Sequence, residues 1–235
     1  MNLIIFGPPG SGKGTYSQRI APKLGIVKIS TGDIYREIVK NDKTSFGKMI
    51  ADILSRGELV PDDITNKILE ERISQPDAKK GFILDGYPRT LNQAKFLEGT
   101  TKIDAIINII APEEILIEKI SARRVCSNPK CDGNYNIADI NRTIDGVEYL
   151  LPPLLPKKDM ICDKCGSKLY QRNDDTPEVI KERLKIYEKQ TSPVIEYYKK
   201  TNIPFVNVHM NRPPNEIVEK ILEELKKLNL IKHAS

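Results

Sequence analysis

The stretch Gly7-Pro8-Pro9-Gly10-Ser11-Gly12-Lys13-Gly14-Thr15 decides the reading of this chain. It follows an apolar run, Leu3 to Phe6, and opens a segment from Lys13 to Leu24 with helical spacing. A strand, a glycine-rich turn and a helix in that order form the setting in which backbone N–H groups and a helix N-terminus hold phosphate oxygens, while a lysine reaches the transferring group. One position departs from the general pattern. Gly14 follows Lys13, where most such loops place a Ser or Thr on magnesium. The ion then needs another holder. Asp85, which ends the apolar run Gly81-Phe82-Ile83-Leu84, is a carboxylate that could bind it through its waters. The alternative for an Asp at a strand end is a helix cap.

Outward from this loop, short apolar runs alternate with helical patterns. Leu3 to Phe6, Ile26 to Ile29, Phe82 to Leu84, Ala105 to Ile110 and Phe205 to Val208 read as buried strands. Helices are expected over Lys13 to Leu24, Asp33 to Lys40, Asp62 to Ser74, Pro112 to Arg124, Pro177 to Lys200 and Pro213 to Lys227. The alternation predicts an α/β fold with a five-stranded parallel sheet flanked by helices. Two regions break the rhythm. Residues 30 to 60 insert two or three helices. Residues 126 to 172 show no strong helical period, are rich in Pro, Gly and Asn, and hold all four cysteines. The expected organisation is therefore a core of 1–29, 61–125 and 173–235, a helical insert at 30–60 and a second insert, a lid, at 126–172.

Bulk properties narrow the function. With 235 residues, 39% hydrophobic and 29% charged, the chain has the composition of a globular protein and the length of a compact enzyme. The net charge of +5 comes from basic residues interleaved with 32 acidic ones, which is not the basic block of a nucleic-acid binder. Met1 to Phe6 carries no basic leader, and the longest apolar stretch, around Ile103 to Ala111, is too short to cross a bilayer. The expectation is a cytoplasmic protein without nucleic-acid or membrane partners. His209 and His233 are the only histidines and sit in no motif.

The second group of residues follows the other strands. Ser30-Thr31-Gly32-Asp33 with Arg36 comes after the second strand, and Asp85-Gly86-Tyr87-Pro88-Arg89-Thr90 with Gln93 after the third. Both lie at carboxyl ends of strands, where open α/β sheets bind ligands. Taken with the loop from Gly7 to Thr15, the Arg123-Arg124 pair and Arg172 through Arg183, their order and spacing resemble the adenylate kinase family, over essentially the whole chain. The resemblance implies a P-loop nucleoside monophosphate kinase, with Mg2+ entering with ATP, and ATP, AMP and ADP as the bound partners of a monomer.

It also implies roles residue by residue. Gly10, Ser11, Gly12, Lys13, Gly14 and Thr15 would hold ATP, with Lys119, Arg123, Asn134, Tyr135 and Arg212 completing the donor site. Thr31, Arg36, Glu58, Leu59, Val60, Gly86, Arg89, Gln93, Arg172 and Arg183 would hold AMP, Gln93 pairing with the Watson–Crick edge of adenine. Lys13, Asp85, Arg89, Arg123, Arg172 and Arg183 would carry the chemistry. Lys119 stands where relatives commonly stack an arginine on the donor adenine, and an ammonium cannot lie flat on a base as a guanidinium can. The acceptor phosphate is largely dianionic at neutral pH, so positioning and charge neutralisation suffice and no general base is needed.

The cysteines fall in two pairs, Cys126-x4-Cys131 and Cys162-x2-Cys165. In a cytosolic chain this spacing reads as a structural zinc site with four thiolates and no open position; other metals, free thiols and disulfides are the alternatives. The first spacer is longer than the two residues usual in zinc-bearing adenylate kinases, with Asn128-Pro129 in the enlarged turn. Leu150 to Leu155 is expected to add some apolar packing between the pairs. The rival functions are a GTP-dependent AMP kinase, a UMP/CMP kinase and, more remotely, a nucleic-acid-dependent ATPase with a zinc ribbon. A long lid and Thr90 argue against the UMP/CMP reading, and the acids Asp132, Asp139, Asp145, Glu148, Asp159 and Asp163 argue against the ribbon.

Overall fold

A computed structural model describes residues 1–231; His233 lies outside them. Among the described residues, ten strands and nine α-helices follow in chain order. The first half runs β1 (Asn2–Phe6), α1 (Lys13–Leu24), β2 (Val27–Ser30), α2 (Thr31–Asn41), α3 (Ser45–Ser55), α4 (Asp62–Ile73), β3 (Phe82–Asp85), α5 (Leu91–Thr100), β4 (Ala105–Ile110) and α6 (Glu113–Ser121). The second half runs β5 (Arg123–Cys126), β6 (Asn134–Asn136), β7 (Ile140–Ile144), β8 (Val147–Leu151), β9 (Leu169–Tyr170), α7 (Pro177–Ile186), α8 (Ser192–Lys199), β10 (Phe205–His209) and α9 (Pro214–Lys227).

The expected sheet is present: five parallel strands in the order β10-β4-β1-β3-β2. Strand β1 is central and is covered on both faces. Leu3 and Ile5 enter one hydrophobic cluster with residues of α1, α6 and α9, whereas Ile4 and Phe6 enter another with residues of α4, α5 and α8. The alternation explains why this strand reads as an unbroken apolar run. The chain leaves β1 for the β2 edge and later crosses to β4, so the turn after β1 lies where strand order reverses. The register pairs Ile5 with Asp85, which brings that carboxylate beside the glycine loop.

Several boundaries differ from those expected, each for a local reason. Helix α2 begins at Thr31, because the Ser30 side chain caps it by accepting from the Asp33 N–H. Helix α5 escaped the periodicity altogether: Thr90 caps it by accepting from the Gln93 N–H at 3.1 Å, and Gln93, Ala94 and Leu97 face inward. The helix expected to reach Arg124 stops at Ser121. Arg123 to Cys126 instead forms β5, paired with β6 and β9, and Val125 and Cys126 are buried there. Sheet pairing and burial override helical propensity at this point.

The long helix expected from Pro177 to Lys200 is broken by one π turn, Tyr187–Thr191. Pro193 supplies the cause: it has no N–H for the α ladder, and its ring crowds the carbonyl one turn earlier.

The 126–172 segment contains β6 to β9 and no helix among its described residues. Its β7–β8 hairpin does more than the slight packing expected. Ala138, Ile140, Tyr149 and Leu151 are buried in the same cluster as Leu3, Ile5 and the inner faces of α6 and α9, whereas Leu150 and Leu155 are exposed. The hairpin is also tied to the loop after β10, where Leu150 donates its N–H to Asn211 O at 3.0 Å and Arg212 pairs with Glu148. Ile140→Ala is therefore expected to cost about 2–5 kcal/mol of global stability, the usual range for a core truncation. Urea unfolding checks this. A cost near zero would show that the hairpin packs loosely.

Candidate functional site

The glycine loop caps its own lysine. Lys13, the first residue of α1, donates to Gly7 O at 2.7 Å and to Pro8 O at 2.9 Å. Burial lowers the Lys13 ammonium to about 7; Asp85 opposes the fall, while Arg89, Arg183 and Arg123 add to it. Asp85 is itself buried and caps no helix, since Thr90 caps the next one, so the carboxylate is left facing the loop. Gly14 now has a physical reason. A Cβ there would stand 3.3 Å from Asp85 Oδ2, so the glycine leaves the space in front of that carboxylate open. Such a buried oxygen donor facing a phosphate loop suits a hydrated magnesium ion.

An open cleft lies at the carboxyl ends of β2 and β3. Thr31, Arg36, Glu58, Leu59, Val60, Gly86, Arg89, Gln93 and Arg183 all line it. Of the residues expected at an acceptor site, only Arg172 is off its wall. A second cleft, lined by Gly7, Pro9 and Lys13, shares Gly57, Leu59, Gly86, Arg89 and Arg183 with the first. The two spaces thus meet at Gly86 and a pair of guanidinium groups. Gly86 must be glycine: its φ is +82°, and a Cβ would fall 2.9 Å from the Arg89 guanidinium and 3.0 Å from Thr31 Oγ1. Its carbonyl accepts from Thr31 Oγ1 and Arg89 Nε, each at 2.9 Å, which aims the Arg89 side chain.

The arginines converge from three segments. Arg89 follows β3, Arg123 opens β5, Arg172 precedes α7 and Arg183 lies in the last turn of α7. Burial lowers Arg172 to about 9, with the like charges of Arg123 and Arg36 adding to the effect. It lowers Arg183 to about 10, opposed first by Asp174. Guanidinium groups nevertheless keep their charge at neutral pH.

Sequence reasoning missed the acids that hold these cations. Asp175, fully buried, takes the Arg123 guanidinium through both oxygens, and Asp174 pairs with Arg183 at 3.2 Å. Near Arg36, burial works to raise the Asp33 carboxyl, but Lys28 and Arg36 together hold it well below the usual range. The signal was the acidic pair Asp174-Asp175, one residue beyond Arg172 in the sequence. Thr191, in the π turn, was missed as well; its hydroxyl donates to Arg89 O at 3.2 Å and it lines the cleft beside Lys13.

The donor-side residues are more dispersed. Asn134 reaches the loop, donating from Nδ2 to Thr15 Oγ1 at 3.2 Å. The Tyr135 hydroxyl turns away to the cysteines, accepting from Asp163 N at 2.7 Å, so only the backbone of Tyr135 is left to face the loop side. Lys119 stays on α6; burial lowers its ammonium, and its carbonyl accepts from Asn136 Nδ2 at 2.7 Å. Arg212 is held by Glu148, as above.

The four cysteine sulfurs lie within 4.8 Å of one another. Cys126 and Cys165 are 3.4 Å apart and Cys131 and Cys162 are 3.6 Å apart. Four thiolates at about 2.3 Å around one tetrahedral ion would lie about 3.8 Å apart, whereas a disulfide needs about 2.05 Å. The donor set fits zinc. The long first spacer is absorbed by Asn128, whose carbonyl accepts from Cys131 N and whose side chain accepts from Lys130 N, both at 3.0 Å.

The adenylate kinase family model matches residues 5–203. An adenylate kinase of Thermotoga maritima is 45% identical over 206 residues, 86% of each chain. One of Archaeoglobus fulgidus is 44% identical over 234 residues, covering 96% of this chain and all of the other. One of Fervidobacterium nodosum is 46% identical over 207 residues, 86% of this chain and 87% of the other.

The depressed Lys13 has a measurable consequence. At pH 8 the empty site holds this amine mostly neutral, and a ligand phosphate at the loop restores its proton. Titration calorimetry of ATP in two buffers of different ionisation heat should show uptake approaching one proton, lost in Lys13→Met. Equal heats in both buffers would contradict it.

Proposed function

The chain belongs to the adenylate kinase family and transfers the terminal phosphoryl group of MgATP to AMP, and from that premise we propose which of its residues do so. One observation carries the assignment: the cleft at β2 and β3 and the cleft at the glycine loop share Gly86, Arg89 and Arg183 as wall residues, so both guanidinium groups face both spaces. AMP fills the first, with Thr31, Arg36, Glu58, Leu59 and Val60 around it and Gln93 reading the base. The phosphates of ATP lie on Gly10 to Thr15.

The acceptor phosphate attacks as the dianion it already is. Lys13 and Arg89 neutralise the transferring group, with Arg123, Arg172 and Arg183 closing over it, and no residue need remove a proton. Magnesium would supply charge neutralisation on the donor phosphates, and Asp85 would hold it through its waters. ATP phosphates replace the carbonyls that cap Lys13 and draw Arg123 and Arg183 from Asp175 and Asp174. Exclusion of water by the 126–172 lid keeps hydrolysis from competing. The helical insert at 30–60 closes over AMP, and the cysteine-bearing part of 126–172, outside the β7–β8 hairpin that is packed into the core, closes over ATP. Zinc on Cys126, Cys131, Cys162 and Cys165 staples the lid and takes no part in the chemistry.

The donor base lies between Lys119 and the Arg212-Pro213 backbone, with Asn134 and Tyr135 nearby. That Lys119 is partly buried supports its placement there. The protein is a cytoplasmic monomer without nucleic-acid partners in this reading; no helix among the described residues is long and apolar enough to cross a membrane.

Gln93→Leu keeps the bulk of the side chain but removes the amide. It should weaken AMP binding by roughly 10-fold or more, with MgATP little affected. Calorimetric titration of each nucleotide decides this, and equal losses for both would remove Gln93 from the base site. Cys162→Ser should lower both zinc content and melting temperature while leaving appreciable activity in the cold. Wild-type protein purified with four titratable thiols and no metal would refute the zinc assignment.

A further inference from the structure

The side chain of Gln93 is almost completely buried, at 2% exposure, and both ends of its amide are already engaged. Oε1 accepts from the Arg89 backbone N–H at 2.7 Å, and Nε2 donates to Asp62 Oδ1 at 2.7 Å. The other Asp62 oxygen accepts from the Thr90 hydroxyl at 2.8 Å, and Thr90 accepts from the Gln93 N–H, so side chain and helix start are tied into one ring of bonds. An ionised carboxylate can only accept and a backbone N–H can only donate. Each anchor therefore excludes the flipped amide, in which oxygen would face Asp62 and N–H would face N–H.

An amide offers two N–H groups and two lone pairs. With one of each held by Arg89 and Asp62, one N–H and one lone pair remain, on fixed sides. A 6-amino purine presents a donor at N6 and an acceptor at N1, which matches them. A 6-oxo purine presents the reverse, an acceptor at O6 and a donor at N1, which would need the flipped amide.

We infer that Asp62 is a specificity-determining residue: by locking the orientation of the Gln93 amide it makes the acceptor site choose 6-amino over 6-oxo purine monophosphates. It is a positioning residue and does not touch the nucleotide. The inference rests on Gln93 reading the acceptor base.

The test is acceptor selectivity, kcat/KM for AMP against IMP at saturating MgATP, in wild type, Asp62→Ala and Asp62→Ser. Serine suits the start of α4 but is too short to reach the amide, and a thermal scan confirms that each variant is folded. With only the Arg89 anchor left, the AMP-to-IMP ratio should fall about 10-fold, the worth of one hydrogen bond, while KM for ATP stays constant. Asp62→Glu, which keeps the carboxylate, should restore part of the ratio. A cleft that had merely loosened would lose AMP and IMP activity together, and an unchanged ratio in both short variants overturns the inference. Gln93→Leu separates the premise from the inference. If it leaves AMP untouched, the base reading is wrong; if it weakens AMP while the Asp62 variants keep the ratio, only the lock is wrong.

Discussion

Buried positive charge that the protein itself neutralises only in part is the constraint on which this structure turns. Lys13 sits among carbonyl oxygens with its ammonium lowered to about 7, and Arg172 lies beside the like charges of Arg123 and Arg36. Keeping such groups out of water is costly unless something anionic meets them. Asp174 and Asp175 do so for Arg183 and Arg123, and Asp33 for Arg36, while Lys13 and Arg89 have Asp85 as their nearest acid. In the proposed reading the phosphates of ATP and AMP would supply the missing charge, so that affinity and transition-state stabilisation would draw on one electrostatic deficit.

The framework exists to hold those charges in place. Register sets Asp85 beside β1, the open face of Gly14 keeps its carboxylate accessible, and the tight turn at Gly86 aims Arg89 at the junction of the two clefts. The π turn imposed by Pro193 brings Thr191 onto the Arg89 carbonyl. The β7–β8 hairpin is sealed into the main hydrophobic cluster although its sequence lies within the 126–172 segment. The cysteine cluster, with its own small set of buried neighbours, is a separate body of packing. Within one excursion, then, one part is anchored by apolar burial and another is suited to be held by metal.

Much of this was legible in the sequence because it depended on local rules. The five apolar runs became the five strands, and the glycine-to-lysine spacing became a loop with Lys13 at a helix start. What stayed illegible depended on partners distant in sequence. Arg123 lies on a strand rather than a helix because Asn136 pairs with it, a contact that helical periodicity cannot register. Asp175 meets Arg123, 52 residues before it, only in the folded chain, and Asp174 meets Arg183 across the start of α7. Gln93 is implied by the family resemblance, yet its amide orientation depends on Asp62 at the start of another helix. The Cys126-x4-Cys131 spacer is longer than the usual two residues, and the hydrogen bonds of Asn128 show how the chain turns back.

If the charge deficit is met by two nucleotides at once, the chemistry should be closed to water. Phosphorus NMR of the enzyme with equal MgATP and AMP tests this directly, because it counts every product. The account predicts that ATP and AMP disappear together, that ADP alone accumulates, and that omitting AMP leaves ATP intact. Inorganic phosphate accumulating at a comparable rate, with AMP unconsumed, would contradict it.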